Sequence, residues 1–329
     1  MKTKIEPRQQ VVLLFTVALS QQAIRSFAAG QPAVSAQMVW LSALPSLLLL
    51  MLVYLPVSRG LSEDVSSRLC NGLFAVALAL SLCMELMRTE RFYGDTMETE
   101  LPLVWFLAAV IAAVWYGVRA GIGGLARTAT AFLWVTGLAM ILLVASVGGQ
   151  MQVNNLQMEE APLQALPGAV WQQCVLLPEY FLTAMLCKGP AKQSRKNFAA
   201  LAALLLCTQG ALAILGECIL GAGYGQENQP VYTIARLGGI SVFRRLDALH
   251  VGIWMLLVLL KLMVYVWGML QALGVAFRGK QLPCILAFAA TALLLFSLWN
   301  LPGQAIAAVQ QGLLWVVVAA CCFARRRKT

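Results

Sequence analysis

A succession of long apolar runs, separated by short charged or Pro/Gly-containing segments, constrains this chain more than any other feature. A helix needs about 20 consecutive apolar residues to cross the hydrocarbon core of a bilayer. Ten runs approach or exceed that length, at residues 8–29, 33–57, 69–88, 101–118, 127–148, 166–187, 197–222, 246–274, 282–299 and 304–323. The sequence therefore predicts an all-α integral membrane protein of about ten transmembrane helices, forming one polytopic domain over residues 1–329.

Composition excludes the soluble alternative. Hydrophobic residues make up 60% of the 329 positions and charged residues 12%, whereas a soluble domain carries roughly 25% charged residues. The spans use nearly the whole chain, so no room is left for a separate catalytic domain. The lipid bilayer is the predicted environment.

The 24 Lys and Arg residues outnumber the 14 Asp and Glu residues. Many of the cations cluster on one predicted side of the spans, at both ends of the chain and at residues 188–196 and 278–280. The positive-inside rule then places both termini in the cytoplasm. The same rule explains the basic excess, so no nucleic-acid partner is expected. A cleaved signal peptide ending near residues 26–28 is the alternative for the first run.

Recognisable cofactor and catalytic motifs are missing. Residues 121–126 fit the spacing G-x-G-x-x-A, but a predicted helix precedes them instead of a strand, which favours a tight turn. The nine cysteines form no C-x-x-C pair, and His250 is the single histidine. The sequence shows no Walker loop or G-x-S-x-G elbow. We therefore expect no cofactor, no metal and no enzymatic activity.

Two ionisable residues lie near the middle of predicted spans, where a charge costs several kcal/mol unless it is paired or functional. Lys261 is central in the eighth span, and Glu179 is close to the middle of the sixth. Glu179 directly follows Pro178, which removes one backbone donor and frees a carbonyl. Leu177, Pro178 and Glu179 therefore predict a break in the sixth helix, the device by which secondary transporters expose backbone groups to a substrate.

Two interpretations of this midplane pair stay open. In the first, Lys261 and Glu179 face a shared cavity and bind the carboxylate and the ammonium of a zwitterionic amino acid. In the second, they bind each other as a buried ion pair that only fixes helix packing. Tyr265 follows Lys261 by one helical turn, so it lines whatever Lys261 lines.

A polar interruption marks the first span. Ser20, Gln21 and Gln22 lie just past its middle, where their side chains are available to a ligand or to a neighbouring helix. Arg25, together with Glu85 and Glu217, lies within about one turn of a predicted outer span end. We expect these three to reach the interface in structural roles.

The longest connection, between the seventh and eighth spans, predicts a short interfacial helix. Pro230 is suited to the first turn of a helix, and the apolar residues that follow it recur on one side. Gly238 and Gly239 are expected to end this helix.

Three patches of sequence resemble a known family. They are residues 5–9, residues 116–128, and a set formed by residues 230–236, 243–249, 253–254 and Lys261. With these patches the chain resembles the B subunits of spore germination receptors, also described as endospore-type amino-acid permeases.

The resemblance implies the fold of the amino acid, polyamine and organocation superfamily, with five plus five spans in inverted repeat and broken first and sixth spans. It also implies a receptor that senses a small germinant, often an amino acid, beside an A subunit and a C-subunit lipoprotein in the inner membrane of an endospore. A proton-coupled secondary amino-acid transporter is the alternative. The chain departs from the family where Ser20, Gln21 and Gln22, with Arg25, replace a small or glycine-containing stretch.

Overall fold

The computed structural model describes residues 5–22, 35–61, 68–96, 103–156, 164, 166–187, 191–225, 227, 229–239, 247–276 and 303–326. These residues form helices and their connections, without a strand among them. The α-helices are α1 Pro7–Gln22, α2 Ala36–Gly60, α3 Arg68–Thr96, α4 Leu103–Arg119, α5 Gly121–Val147, α6 Leu166–Gln173, α7 Pro178–Leu186, α8 Ala191–Leu220, α9 Pro230–Leu237, α10 Asp247–Ala276 and α11 Gly303–Arg326. The predicted all-α fold is confirmed.

Five of the described helices are long and apolar enough to cross a bilayer, namely α2, α3, α5, α8 and α10. Shorter apolar stretches occur in α4 and α11. The chain is therefore a multi-pass membrane protein, as its composition predicts. The described helices overlap every predicted span except the ninth, at residues 282–299, which lies outside the described residues. The inverted repeat and the single domain stay predictions.

Helices α3 and α10 form the centre of the described bundle. They pack against each other more extensively than any other pair of described helices. Helix α5 is peripheral, with Trp134, Leu138 and Ile141 exposed by 78%, 60% and 68%. These three residues follow the spacing i, i+4, i+7, so they share one face of α5. An apolar face of this kind is suited to contact with lipid.

The predicted break in the sixth span is confirmed. Helix α6 ends at Gln173, and α7 begins at Pro178. The residue between them that precedes the proline, Leu177, is extended with φ −102° and ψ 139°, the conformation that proline favours in its predecessor. The break in the first span is not testable in the same way, because α1 ends at Gln22 and residues 23–34, which include Arg25, lie outside the described residues.

Two local predictions have different outcomes. The short helix predicted after Pro230 is α9, with Pro230 in its first turn and Gly238 directly after its last residue; its interfacial location stays a prediction. The prediction that residues 121–126 form a tight turn is wrong for most of that segment, because these residues begin α5; only Gly121 lies at the sharp turn between α4 and α5, with a φ of +73°. A left-handed φ of this size favours glycine over any residue with a Cβ.

Polar side chains fix the carboxyl-terminal end of α7. The Tyr54 hydroxyl shares hydrogen bonds with Thr183 Oγ1, at 2.5 Å, and with Ser194 Oγ, at 2.7 Å. Gln10 Nε2 donates to the Leu186 carbonyl at 2.9 Å. Helix α7 is thereby tied to α1, α2 and α8, so the position of the break beside its first residue is well defined.

Candidate functional site

Lys261 is a charged residue buried inside the described bundle. It is 0% exposed and lies midway along α10. Its Nζ is 2.5 Å from Glu85 Oε1 on α3 and 3.7 Å from Glu179 Oε1 on α7. Glu179 is 0% exposed and Glu85 4%. The structure therefore brings together Lys261 and Glu179, the two charged residues selected from the sequence. It adds a second carboxylate, that of Glu85 on α3.

Tyr265 joins the same group of side chains. It lies one turn after Lys261, and its hydroxyl donates to Glu179 Oε1 at 2.8 Å. Lys261 Nζ is 5.5 Å from the centroid of the Tyr265 ring. Glu179 Oε2 is buried and has no hydrogen-bond partner among the described residues. One oxygen of Glu179 is therefore occupied, and the other is available.

Arg88 completes what we call the central cluster, formed by Glu85, Arg88, Glu179, Lys261 and Tyr265. Arg88 Nη1 is 2.8 Å from Glu85 Oε1, one turn further along α3. Glu85 thus binds two cations, Arg88 and Lys261. With all four charged groups ionised, two cations balance two carboxylates, and the cluster has no net charge.

The expectation that Glu85 reaches the interface is wrong. Helix α3 continues to Thr96 instead of ending near residue 88, and this places Glu85 well inside the helix. Sequence reasoning missed Glu85 as a candidate because the charges after it were taken for the end of a span. The sequence did contain a pattern that could have identified Glu85. Ser81, Glu85 and Arg88 follow the spacing i, i+4, i+7, so these polar residues share one face of a helix.

Glu217 is also buried, at 4% exposure, although an interfacial position was expected. Its Oε1 accepts a hydrogen bond from the backbone N–H of Ala36 at 2.6 Å. Ala36 is the first residue of α2, where backbone N–H groups have no partner within the helix. The structural role expected for Glu217 is therefore present, as the capping partner of α2.

Gln311 on α11 holds the break between α6 and α7, and sequence reasoning missed it. Its Oε1 accepts from Leu176 N at 3.1 Å, and its Nε2 donates to Leu176 O at 2.9 Å. The adjacent Gln310 donates from Nε2 to Ser81 Oγ on α3 at 2.6 Å. The sequence pattern that could have identified Gln311 is the pair of successive glutamines, Gln310 and Gln311, within an apolar run. They mark a helix that supplies hydrogen bonds to other helices.

The hydrogen bonds described for Ser20 are with residues outside the central cluster. Its side chain is 2% exposed and donates to the Val17 carbonyl of its own helix at 2.9 Å. Its carbonyl accepts from Trp254 Nε1 at 3.2 Å. Gln21 and Gln22 form the end of α1, and their side chains lie outside the described part of the structure. A ligand role for these three residues stays a prediction.

An aromatic layer lies between the central cluster and α9. Phe92 follows Glu85 by two turns on α3, and Trp254 precedes Lys261 by two turns on α10, so each shares the helix face of its charged partner. The Phe92 and Trp254 ring centroids are 4.1 Å apart, and those of Phe92 and Tyr232, which belongs to α9, are 5.8 Å apart. The central cluster is closed on this side.

A membrane-embedded helical bundle whose spanning helix breaks beside buried, paired charges defines a permease-type membrane protein. Sequence comparison gives the family: residues 61–304 match the model of the family described as spore germination protein, and the chain belongs to that family. The resemblance noted in the sequence is thereby confirmed. This family is of the permease and receptor type. A comparison with curated proteins gave no match.

Proposed function

We propose that this protein is a germinant-sensing receptor subunit that binds an amino acid at the central cluster. The observation that carries the proposal is the second oxygen of Glu179, which is buried and has no hydrogen-bond partner among the described residues. A buried carboxylate oxygen without a partner costs more than the 1–3 kcal/mol typical of a neutral group. A ligand ammonium bound to Glu179 Oε2 removes that cost.

The charge balance of the central cluster selects the class of ligand. Arg88 and Lys261 balance Glu85 and Glu179, so a ligand with net charge adds an uncompensated charge to a buried site, at a cost of several kcal/mol. A zwitterion adds none. We place the ligand ammonium at Glu179 and its carboxylate towards Lys261, whose Nζ is 3.7 Å from the nearer oxygen of Glu179.

The helix break supplies the remaining polar groups. Residues 174–177 are not helical, and α7 starts at Pro178, so the backbone beside Glu179 is released from regular helical hydrogen bonding. Broken helices at midspan provide such groups in transport proteins. Gln311 binds both the N–H and the carbonyl of Leu176, which stabilises the break.

The family supports the wider setting of the proposal. The B-subunit resemblance implies an A subunit and a C-subunit lipoprotein as partners, and the inner membrane of an endospore as the location, with both termini in the cytoplasm. The match to the spore germination protein family supports this setting at the level of the family. Copurification of tagged chain with coexpressed A and C subunits tests the partners.

Ligand-induced stabilisation of the purified protein tests the site itself. The melting temperature in lipid nanodiscs is measured with each of the twenty amino acids, because a ligand that binds the native state raises it by mass action. We expect one or a few amino acids to stabilise the wild type. At a concentration one hundred times the dissociation constant, the gain is about 2.7 kcal/mol.

Three carboxylate variants separate binding from folding. Glu179→Gln should abolish the ligand-induced shift and destabilise the unliganded protein less than Glu85→Gln does, because Lys261 Nζ is 3.7 Å from Glu179 but 2.5 Å from Glu85, which also binds Arg88. Glu85→Gln should destabilise the unliganded protein by about 3–5 kcal/mol, because two buried cations lose their carboxylate. Glu6→Gln, at an exposed carboxylate beside α1, is the matched control. A normal ligand shift in Glu179→Gln overturns the proposed site.

A proton-coupled transporter for the same ligand is the second candidate. It is favoured by one observation, the buried acid and base side chains beside a broken helix, an arrangement also used in transport. Uptake of the stabilising amino acid into proteoliposomes under a proton gradient distinguishes the two. We expect binding without uptake, as for a receptor. Uptake that depends on the gradient and is lost in Glu179→Gln would establish the transporter instead.

A further inference from the structure

A cavity lies away from the central cluster, among α1, α5, α8, α9 and α10. Its volume is about 240 Å³, larger than the roughly 150 Å³ engineered apolar cavity that binds benzene. Its wall includes Phe15 and Leu19 of α1, Met140 of α5 and Ile253 of α10. None of the described lining residues is Asp, Glu, Lys or Arg. An amino acid zwitterion finds no counter-charge there, so the cavity is suited to an uncharged ligand.

Two polar side chains that border this cavity each have an atom whose hydrogen-bonding capacity is unused within the described structure. Thr136 Oγ1 and His250 Nε2 are both buried, and neither has a hydrogen-bond partner among the described residues. A hydroxyl can donate and accept, and each nitrogen of a neutral imidazole does one or the other. Buried polar groups in proteins are normally satisfied. A bound hydroxyl or carbonyl group within reach of these side chains supplies the missing partner.

The cavity reaches the outer surface of the bundle on its lipid-facing side. Gly137 lines it and is exposed, and it lies on α5 between the exposed side chains of Trp134 and Leu138. Leu249 of α10, another lining residue, is 44% exposed. Because this exposed face of α5 is apolar and suited to contact with lipid, it offers a molecule dissolved in the bilayer a route to the cavity.

We infer that this cavity is a second binding site, for an uncharged and largely apolar molecule with one hydroxyl or carbonyl group that enters from the bilayer. The apolar wall binds the hydrocarbon part, and Thr136 and His250 bind the polar group. Either a free medium-chain alcohol or a neutral membrane lipid such as a diacylglycerol has this chemistry. The site is separate from the central cluster and does not depend on the proposed germinant.

Photolabelling in nanodiscs tests the inference. The probe is an eight-carbon alcohol that carries a diazirine, added to the full chain in phosphatidylcholine nanodiscs, and labelled residues are mapped by mass spectrometry. We expect labels on the cavity wall of α5 and α10. Excess 1-octanol should displace the probe if a free alcohol reaches the site, and dioleoylglycerol in the nanodisc should displace it if a lipid does.

A glycine variant closes the site without disturbing the fold. A Cβ added at Gly137 meets nothing within 4 Å, so Gly137→Leu fits on the backbone and fills the opening. We expect it to reduce labelling of the cavity wall about tenfold. Gly312→Leu is the matched control, because Gly312 is also an exposed helical glycine with no atom within 4 Å of an added Cβ, on α11. It should label as the wild type does.

The polar half of the site is tested by competition. Thr136→Val removes the hydroxyl and keeps the shape of the side chain, so it should raise the concentration of 1-octanol needed for displacement about fivefold, the effect of one lost hydrogen bond. Displacement by octane, which has no hydroxyl, should be unchanged. Labels outside the cavity, wild-type labelling of Gly137→Leu, or equal displacement by octane and 1-octanol in the wild type would each overturn the inference.

Discussion

Replacement of Gln311 by leucine should destabilise the helix break between α6 and α7. In the wild type, Gln311 binds both the N–H and the carbonyl of Leu176. Leucine has nearly the same volume but no polar atom. Gln311→Leu therefore leaves the N–H and the carbonyl of Leu176 without this partner, in a partly buried position.

The magnitude follows from those two groups. Each buried donor or acceptor that loses its partner costs about 1–3 kcal/mol. Both hydrogen bonds are only partly buried, so we take the lower half of that range. The free energy of unfolding should therefore fall by about 2–4 kcal/mol.

Gln150→Leu provides the matched control. Gln150 Nε2 also donates to a backbone carbonyl, that of Leu237, at 3.1 Å, but this bond is exposed. Water replaces it when it is removed, so the same substitution should cost less than about 1 kcal/mol. The two substitutions thus differ in the number of hydrogen bonds lost and in their burial.

Unfolding of the purified variants by sodium dodecyl sulfate in mixed micelles, followed by circular dichroism, gives the free-energy differences. Stability of Gln311→Leu within about 0.5 kcal/mol of Gln150→Leu would refute the reasoning, because it would mean that the break does not depend on α11. In that case the four-residue interruption would be held by the local chain and Pro178 alone.

Two further predictions concern packing and buried hydroxyls. Gly216→Ala should destabilise the protein by about 1–3 kcal/mol, because the new Cβ overlaps the rigid ring of Tyr224. Gly117→Ala should cost less, because the new Cβ meets the flexible end of Met263. The same detergent titration compares the two, and equal losses would contradict the argument. Tyr54→Phe should cost about 1–2 kcal/mol, since it removes two buried hydrogen bonds; an unchanged free energy of unfolding would show that the hydroxyl is dispensable.

Sequence reasoning was strongest where a single physical constraint dominates. The cost of unpaired backbone groups in lipid predicts helices for the long apolar runs, and proline chemistry predicts the break at Pro178 and the start of α9 at Pro230. Lys261 and Glu179 could also be chosen as candidate site residues from the sequence alone, because each is an ionisable residue within an apolar run. These features are local, so a pattern within one segment is sufficient to find them.

The features that were missed depend on contacts between segments. Glu85 and Lys261 are 176 positions apart, and Gln311 and Leu176 are 135 apart. Nothing in either neighbourhood specifies the partner. Charge also led to a wrong prediction of where α3 ends. Arg88 was taken as a sign of the interface, although its charge is balanced inside the bundle by Glu85.

The central cluster and the lipid-facing cavity share one side of α10. His250, Trp254 and Lys261 follow a spacing that places them on a single helix face, and the 1.5 Å rise per residue separates the two ends of this set by about 16 Å. Trp254 lines the cavity, packs against Phe92 with the ring planes tilted by 45°, and donates to the carbonyl of Ser20. Trp254 therefore lies on α10 between the cavity and Lys261, and it contacts α1 and α3 as well as the cavity.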